Sequence, residues 1–255
     1  MIHHYRITIQ YKGTRYLGWQ IQPESAGLTV QGELNRSLKT ISKSEQIHSM
    51  GAGRTDAGVH ALAQVAKVSI PLEIIPESLV RALNAHLPQD IRVLAAEKST
   101  EDFIPTVHAK SKEYHYRFTV NRERSALQDE LLANYSFEVD IQKMNEACKL
   151  LLGKHDFTNF FCEGSEVSSY VREIYSCEIV KVSEEGWMLP EHYVLKIKGN
   201  GFLKQMVRLI MGALWSVGRG KVSLEDFKEA LGPQKKPRLG PVAPANGLYM
   251  VCVNY

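Results

Sequence analysis

The chain has 255 residues, of which 44% are hydrophobic and 23% charged, and a net charge of +3 from 31 basic and 28 acidic side chains. This composition excludes wholesale disorder and fibrous repeats, and the length allows one large domain or two small ones, each able to bury a core. Tyr5, Ile7, Ile9 and Tyr11 alternate with polar residues, which predicts a half-buried strand. From Thr29, a fair N-cap, Val30, Leu34, Leu38 and Ile41 fall at helical spacing. Gln46 to Met50 and Leu62 to Ile70 read as strands. Pro76 opens a helix carrying Leu79, Val80, Leu83 and Leu87; Pro88 ends it, and Ile91 to Ala95 reads as a strand. The order is β-α-β-β-α-β.

The second half repeats that order. Glu113 to Val120 alternates as a strand, and Asp140 caps a helix with Ile141, Met144, Cys148 and Leu151 on one face and Gly153 at its C′ position. Tyr170 to Val182 and His192 to Lys198 read as strands. Phe202 to Val217 reads as a strongly apolar helix, a core element. A shorter helix follows Ser223, with Asp226 placed for a capping box, and Leu248 to Val253 closes as a strand. Two βαββαβ halves, 1–109 and 110–255, give an α+β fold with the split βαβ topology that RNA-recognition (RRM-like, ferredoxin-like) domains also use. The repeat is topological, with little residue identity between the halves.

Cys148, Cys162, Cys177 and Cys252 lie far apart without C-x-x-C spacing, which argues against a disulfide framework or zinc finger and for a reducing compartment. Met1-Ile-His-His-Tyr-Arg leads into a strand without the apolar run of a signal peptide, and Leu209 to Val217 is too short to span a bilayer. A cytoplasmic, membrane-free protein is expected. The net charge says little: residues 1–109 carry 11 basic and 10 acidic groups, and 110–255 carry 20 and 18. One stretch stands out. His192 to Leu224 holds Lys196, Lys198, Lys204, Arg208, Arg219 and Lys221 and no acidic residue, with Lys235, Lys236 and Arg238 soon after. Such a field suits a phosphate backbone, although charge alone more often marks a solvated face.

The sharpest motif is Gly51-Ala-Gly-Arg-Thr-Asp-Ala-Gly-Val-His-Ala61. Its glycines permit tight turns and close approach to a ligand. It is neither a phosphate-binding Walker loop, lacking Gly-Lys-Ser/Thr, nor a dinucleotide fingerprint. Taken alone, a hairpin turn with a turn-forming Asp is the commoner meaning, and a lone His60 is more often structural. Its neighbours make it specific: Tyr16-Leu-Gly-Trp-Gln20, Thr29-Val-Gln31, Asn84-Ala-His-Leu-Pro-Gln-Asp-Ile91, Val107-His-Ala109 with Tyr114-His-Tyr116, Asp156-Phe-Thr-Asn-Phe160, Gly199-Asn-Gly-Phe-Leu203 with Met206-Val-Arg208, and Ala243-Pro-Ala-Asn-Gly-Leu248. This series, in this order, resembles the tRNA pseudouridine synthase A family from about Tyr5 to Tyr255, and the Gly53 to His60 block is highly specific to it.

The resemblance implies two related α+β halves forming one mostly antiparallel sheet with a cleft between them. It implies isomerisation of uridine to pseudouridine at positions 38 to 40 of the tRNA anticodon stem-loop, without cofactor or metal, by a homodimer with tRNA lying across both subunits. Asp56 takes the place of the catalytic aspartate. A carboxylate beside the sugar can stabilise positive charge at C1′, attack it, or remove a proton from C2′, and the sequence leaves all three open. Tyr114 takes the place of the active-site tyrosine, able to stack on uracil and to join proton transfer at C5. Arg208 takes that of an arginine near the aspartate, able to pair with it, contact phosphate or fill the gap left by a flipped base. Arg54, Thr55, His60, Lys110, Arg172 and Lys204 are candidate RNA or substrate contacts. Two positions depart from the family: Val107-His-Ala-Lys110 where Phe-His-Ala-Arg is common, and Glu113 where a basic residue commonly precedes the tyrosine. A catalytically silent RNA-binding protein or chaperone on the same fold is the alternative, but it would have little need of Asp56, Tyr114 and Arg208 together. A metal- or nucleotide-dependent hydrolase lacks clustered ligands and a phosphate loop.

Overall fold

A computed structural model describes residues 1–120, 126–162, 168–183 and 190–255. In chain order the elements are β1 (His3–Tyr11), α1 (Val30–Ser42), β2 (His48–Gly51), β3 (His60–Ile70), α2 (Pro76–His86), β4 (Ile91–Lys98) and β5 (Ser111–Val120). There follow β6 (Ala133–Tyr135), α3 (Ile141–Leu150), β7 (Gly153–Asp156), β8 (Val171–Val182), β9 (His192–Gly199), α4 (Met206–Gly218), α5 (Leu224–Glu229) and β10 (Leu248–Asn254). The class is α+β, with mixed but mostly antiparallel strand pairing. Every helix and strand of the sequence reading is present.

The chain divides into two compact units, Met1–Lys110 with Tyr249–Tyr255, and Ser111–Leu248. In the first unit β1 lies between β4 and β3, antiparallel to both, and β2 pairs antiparallel with β3. Thus β1 and β2 run parallel with β3 inserted between them, which is the split βαβ arrangement. Tyr5, Ile7, Ile9 and Tyr11 are buried on β1 while Arg6, Thr8 and Gln10 are half-buried, as the period of two requires. Val30, Leu34 and Leu38 of α1 and Leu79 and Leu83 of α2 are buried, and the two helices pack against each other. The Thr29 hydroxyl accepts the Gly32 N–H at 3.1 Å, satisfying a donor that the first turn leaves orphaned. Thr29→Ala is expected to lower stability by about 1 kcal/mol in urea unfolding, with the slope of the transition unchanged.

The last strand groups with this first unit, whereas the halves read from the sequence place it in the second. β10 runs parallel to β3, with Tyr249 opposite His60 and Met250 opposite Ala61. Lys110 N–H donates to the Asn254 carbonyl at 2.8 Å, and the Tyr255 hydroxyl to the Pro105 carbonyl at 3.1 Å.

In the second unit β5, β9, β8 and β7 pair antiparallel in that order, and β6 adds to β5 in parallel. Asp140 caps α3 by accepting the Lys143 N–H, and Ser223 and Asp226 form a reciprocal capping box at α5. Helix α4 is buried along its whole length except at Arg208. Its Trp215 stacks on Tyr135 at 4.3 Å and meets Tyr116 and Phe118 edge-on, each at 5.7 Å. Two details depart from the sequence reading. α4 starts at Met206 rather than Phe202, because Gln205 takes a left-handed conformation (φ 60°) and Leu203 N–H reaches the Met206 sulfur in a turn; apolar spacing runs through such a turn unbroken. Gly153 has the positive φ expected (92°), but one residue beyond C′, where it opens β7. No helix among the described residues is long and apolar enough to cross a membrane.

Candidate active site

Asp56 sits on the loop that joins β2 to β3, and that loop's backbone is tied down at short intervals. Ala52 N–H donates to the Val65 carbonyl at 2.7 Å, and the Gln64 amide to the Gly53 carbonyl at 2.6 Å. Trp19 N–H donates to the Thr55 carbonyl at 3.1 Å, Gly58 N–H to the Tyr16 carbonyl at 3.2 Å, and Val59 N–H to Asp56's own carbonyl at 3.2 Å. The Thr55 and Tyr11 hydroxyls share a buried hydrogen bond of 2.8 Å. Burial raises the Tyr11 phenol well above its ordinary value, so it serves there as a neutral hydroxyl.

The clamp on this loop is the segment Gly13 to Gln20, and its glycines are sterically required. A Cβ at Gly18, whose φ is +100°, would lie 2.3 Å from the Thr55 carbonyl oxygen and 3.0 Å from the Asp56 carbonyl carbon. A Cβ at Gly13 would lie 1.9 Å from the Val59 carbonyl oxygen. The clamp is anchored in turn by Asp90, which accepts the Tyr16 hydroxyl at 2.6 Å through its carboxylate and the Lys12 N–H at 2.9 Å through its backbone carbonyl. The result is a pinned turn on which Arg54 is exposed, Asp56 half-buried, and Thr55 turned inward.

Of the expected contacts in this unit, Arg54 and Lys110 are exposed. Thr55 and His60 are 7% and 1% exposed, so neither presents a surface to a macromolecule. His60 Nδ1 accepts the Gly13 N–H at 3.0 Å, which places the neutral ring's proton on Nε2, and the ring stacks on Tyr249 at 4.7 Å. Both residues shape the aspartate loop from beneath.

In the second unit Tyr114 lies on β5, 7% exposed, with Phe202 edge-on at 5.0 Å. Arg208 Nε donates to the Ala243 carbonyl at 2.7 Å while Ala243 N–H returns to the Arg208 carbonyl at 3.1 Å. The Tyr116 hydroxyl donates to the next carbonyl, Pro244, at 2.8 Å. Arg208 and Tyr116 thus hold the Ala243-Pro244 segment together. Burial raises the Tyr116 phenol, and the Arg208 charge pulls it partly back. Lys204 is exposed, and Arg172 is half-buried with Nη1 donating to the Ser169 and Val171 carbonyls.

The acid-free stretch proves acid-free along the sequence only. Sheet register sets Lys198 opposite Glu113 and Lys196 opposite Glu178, while Glu113 also pairs with His115 at 2.8 Å. Arg219 lies over the Phe137 ring at 3.7 Å. The uncommon Glu113 therefore belongs to a row of alternating charge on the strand face opposite Tyr114.

Several motif residues turn out to build loops. Asn159 donates to the Ala230, Gly232 and Gln234 carbonyls and accepts the Lys236 N–H, holding one loop in place. Asn84 bonds both backbone groups of Val93, and Gln31 joins Ile21 to Ser49. Of the supporting residues, Tyr11 is legible only as part of a strand and Asp90 only as part of the Asn84-to-Ile91 motif, while Gln64 carries no pattern of its own in the sequence. Among the described residues, no three His, Cys, Asp or Glu side chains converge to hold a metal ion.

A family model for tRNA pseudouridine synthase matches residues 7–103 and 147–255, which include the whole aspartate loop and Arg208. The chain belongs to the tRNA pseudouridine synthase family. Proteins named tRNA pseudouridine synthase A are similar over nearly their full length: that of Anoxybacillus flavithermus is 39% identical over 250 residues, 98% of each chain. That of Lacticaseibacillus casei is 35% identical over 252 residues, 99% of each chain. A tRNA pseudouridine synthase A 2 of Desulfotalea psychrophila is 37% identical over 258 residues, again 98% of each. Among solved structures, a chain of a Cbf5-Nop10-Gar1 complex matches at a TM-score of 0.36 and 14% identity, over 96% of this chain and 48% of that one.

Proposed function

We propose that the protein isomerises uridine to pseudouridine at positions 38 to 40 in the anticodon stem-loop of tRNA, with Asp56 as the reacting carboxylate. The observation that carries this reading is the loop itself: a half-buried carboxylate on a turn whose backbone is held by five hydrogen bonds, four from backbone N–H groups and one from the Gln64 amide. Such rigidity suits a group that must act within a fraction of an ångström of a sugar carbon. In the reaction the N1–C1′ bond breaks, the uracil turns, C5 bonds to C1′, the C5 proton is lost and N1 gains one. Asp56 acts at the sugar, as a nucleophile, as a charge stabiliser at C1′, or as the base at C2′. Tyr114 stacks on the uracil and joins the proton transfer, and Arg208 and Arg54 contact the RNA. Lys110 and Lys204, both exposed, supply phosphate contacts. The reaction needs no cofactor, and the working form is a cytoplasmic homodimer with tRNA lying across both subunits.

The test uses tRNA carrying tritium at uridine C5. The protein is expected to release label to water in proportion to the pseudouridine formed, and mapping of the product places it at positions 38 to 40. Absence of release on a whole-cell tRNA pool would overturn the reading in favour of a silent RNA binder.

A further inference from the structure

We propose that Lys112 and Arg172 form a phosphate-binding pair that holds a backbone phosphodiester of the RNA substrate beside Tyr114; the assignment of that phosphate to RNA rests on the function proposed above. Lys112 lies on β5 two residues before Tyr114, on the same strand face and about 7 Å away along the strand. In the sheet register Lys112 is opposite Gly199 of β9, and Gly199 is opposite Ile174 of β8. Arg172 precedes Ile174 by two residues on β8, and strand alternation returns it to the Lys112 face.

Between the two cations lie Gly199, Gly201 and the buried side chain of Ile174. A Cβ at Gly199 would meet the Glu173 carbonyl oxygen at 2.7 Å, so a side chain is excluded there. A Cβ at Gly201 would stand 3.7 Å from Arg172 Nε, so that glycine borders the guanidinium. Phe202 follows, its ring within 3.4 Å of the Gly199 Cβ position and edge-on to Tyr114. An aromatic pair, a floor made by Gly199 and the buried side chain of Ile174, and two cations therefore follow one another along one end of the sheet.

The two cations have no counter-ion among the described residues. Lys112 is half-buried, yet its ammonium has no hydrogen bond or ion pair there. Among the described residues, the Arg172 guanidinium donates to two backbone carbonyls, those of Ser169 and Val171. Glu113, adjacent in sequence, points to the opposite face and is engaged with His115. Burial lowers the Lys112 ammonium from its ordinary value, and the Arg172 charge lowers it further; burial lowers Arg172 as well. Two like charges, partly stripped of water and facing each other, weaken the fold and are stabilised when an anion arrives. A phosphodiester matches them, because a guanidinium fork and a compact ammonium can share its two free oxygens.

The full-length protein and its Lys112→Met and Lys112→Arg variants test this. Methionine keeps the apolar stem and removes the charge. Lys112→Met is expected to raise the melting temperature of the free protein while weakening tRNA binding about tenfold at low salt. It should also reduce the slope of log affinity against log salt by about 0.7 to 0.9, the value of one phosphate contact. Lys112→Arg should keep that slope. Inorganic phosphate, compared with chloride at equal ionic strength, should raise the wild-type melting temperature and leave Lys112→Met unmoved. A lower melting temperature for Lys112→Met with an unchanged slope would overturn the site, since the lysine would then be structural. Phosphate stabilisation without any change in the tRNA slope would overturn the RNA assignment. A wild type that responds to phosphate but releases no tritium would instead remove the proposed reaction.

Discussion

Asp56→Ala is expected to reduce tritium release from C5-labelled tRNA on the order of a thousandfold or more, to the level of buffer. Asp56→Asn should do the same, because it keeps the shape of the side chain and loses the charge that any of the three chemical roles requires. The loop does not depend on that side chain for the ties described above: they run through the backbone of Ala52, Gly53, Thr55, Asp56 and Gly58 and through the Thr55 hydroxyl. Folding stability should therefore change far less than turnover. tRNA binding should be retained or slightly strengthened, because a negative charge leaves a surface that meets phosphates. A variant that binds tRNA normally and releases label at the wild-type rate would show that the reacting group lies elsewhere.

Gly18→Ala is expected to lower both stability and turnover, without replacing any residue proposed to meet the substrate. At φ +100° an alanine is strained before it meets a neighbour, and its Cβ would stand 2.3 Å from the Thr55 carbonyl oxygen. Relief requires the aspartate loop or the clamp to move by about an ångström, a displacement of the size that costs on the order of a hundredfold in rate. The combined strain and clash should cost about 2–4 kcal/mol. Gly153→Ala is the matching control: its φ is +92°, but nothing lies within 4 Å of the added carbon. It should cost only the conformational strain, about 1–2 kcal/mol, and leave the rate of tritium release unchanged. Equal effects of the two substitutions on turnover would show that the clamp does not position Asp56.

The elements were legible in the sequence because their causes are local. Alternation along Tyr5 to Tyr11, the cap at Thr29, the proline at Pro76 and the Ser223–Asp226 capping box each act within a few residues, and each is found where expected. The turn at Gln205 was not legible, because a left-handed glutamine leaves no trace in apolar spacing. The candidate site divides in the same way. The Gly51-to-Ala61 motif announces a tight loop, but the inward turn of Thr55 and His60 depends on Tyr11 and Gly13, more than forty residues away in the chain. Lys112 carries no signal beside the tyrosine, because a lysine on a strand is ordinarily a solvated one. Only the register across β5, β9 and β8 brings it to Arg172. The same register cancels much of the positive field that the stretch from His192 to Leu224 suggests on paper.

The parallel seating of β10 on β3 bears on how the molecule comes into being on the ribosome. Residues 1–110 emerge first, but the ring that stacks on His60 belongs to Tyr249, and the carbonyl that receives the Lys110 N–H belongs to Asn254. The first unit must therefore wait, with the His60–Ala61 end of β3 and one face of His60 uncovered, while more than half of the chain is still being translated. His60 in turn holds Gly13 at the foot of the aspartate loop. Maturation of the loop is thus tied to late-arriving chain, and a nascent product stalled before Tyr249 would carry Asp56 on a support that lacks one of its braces.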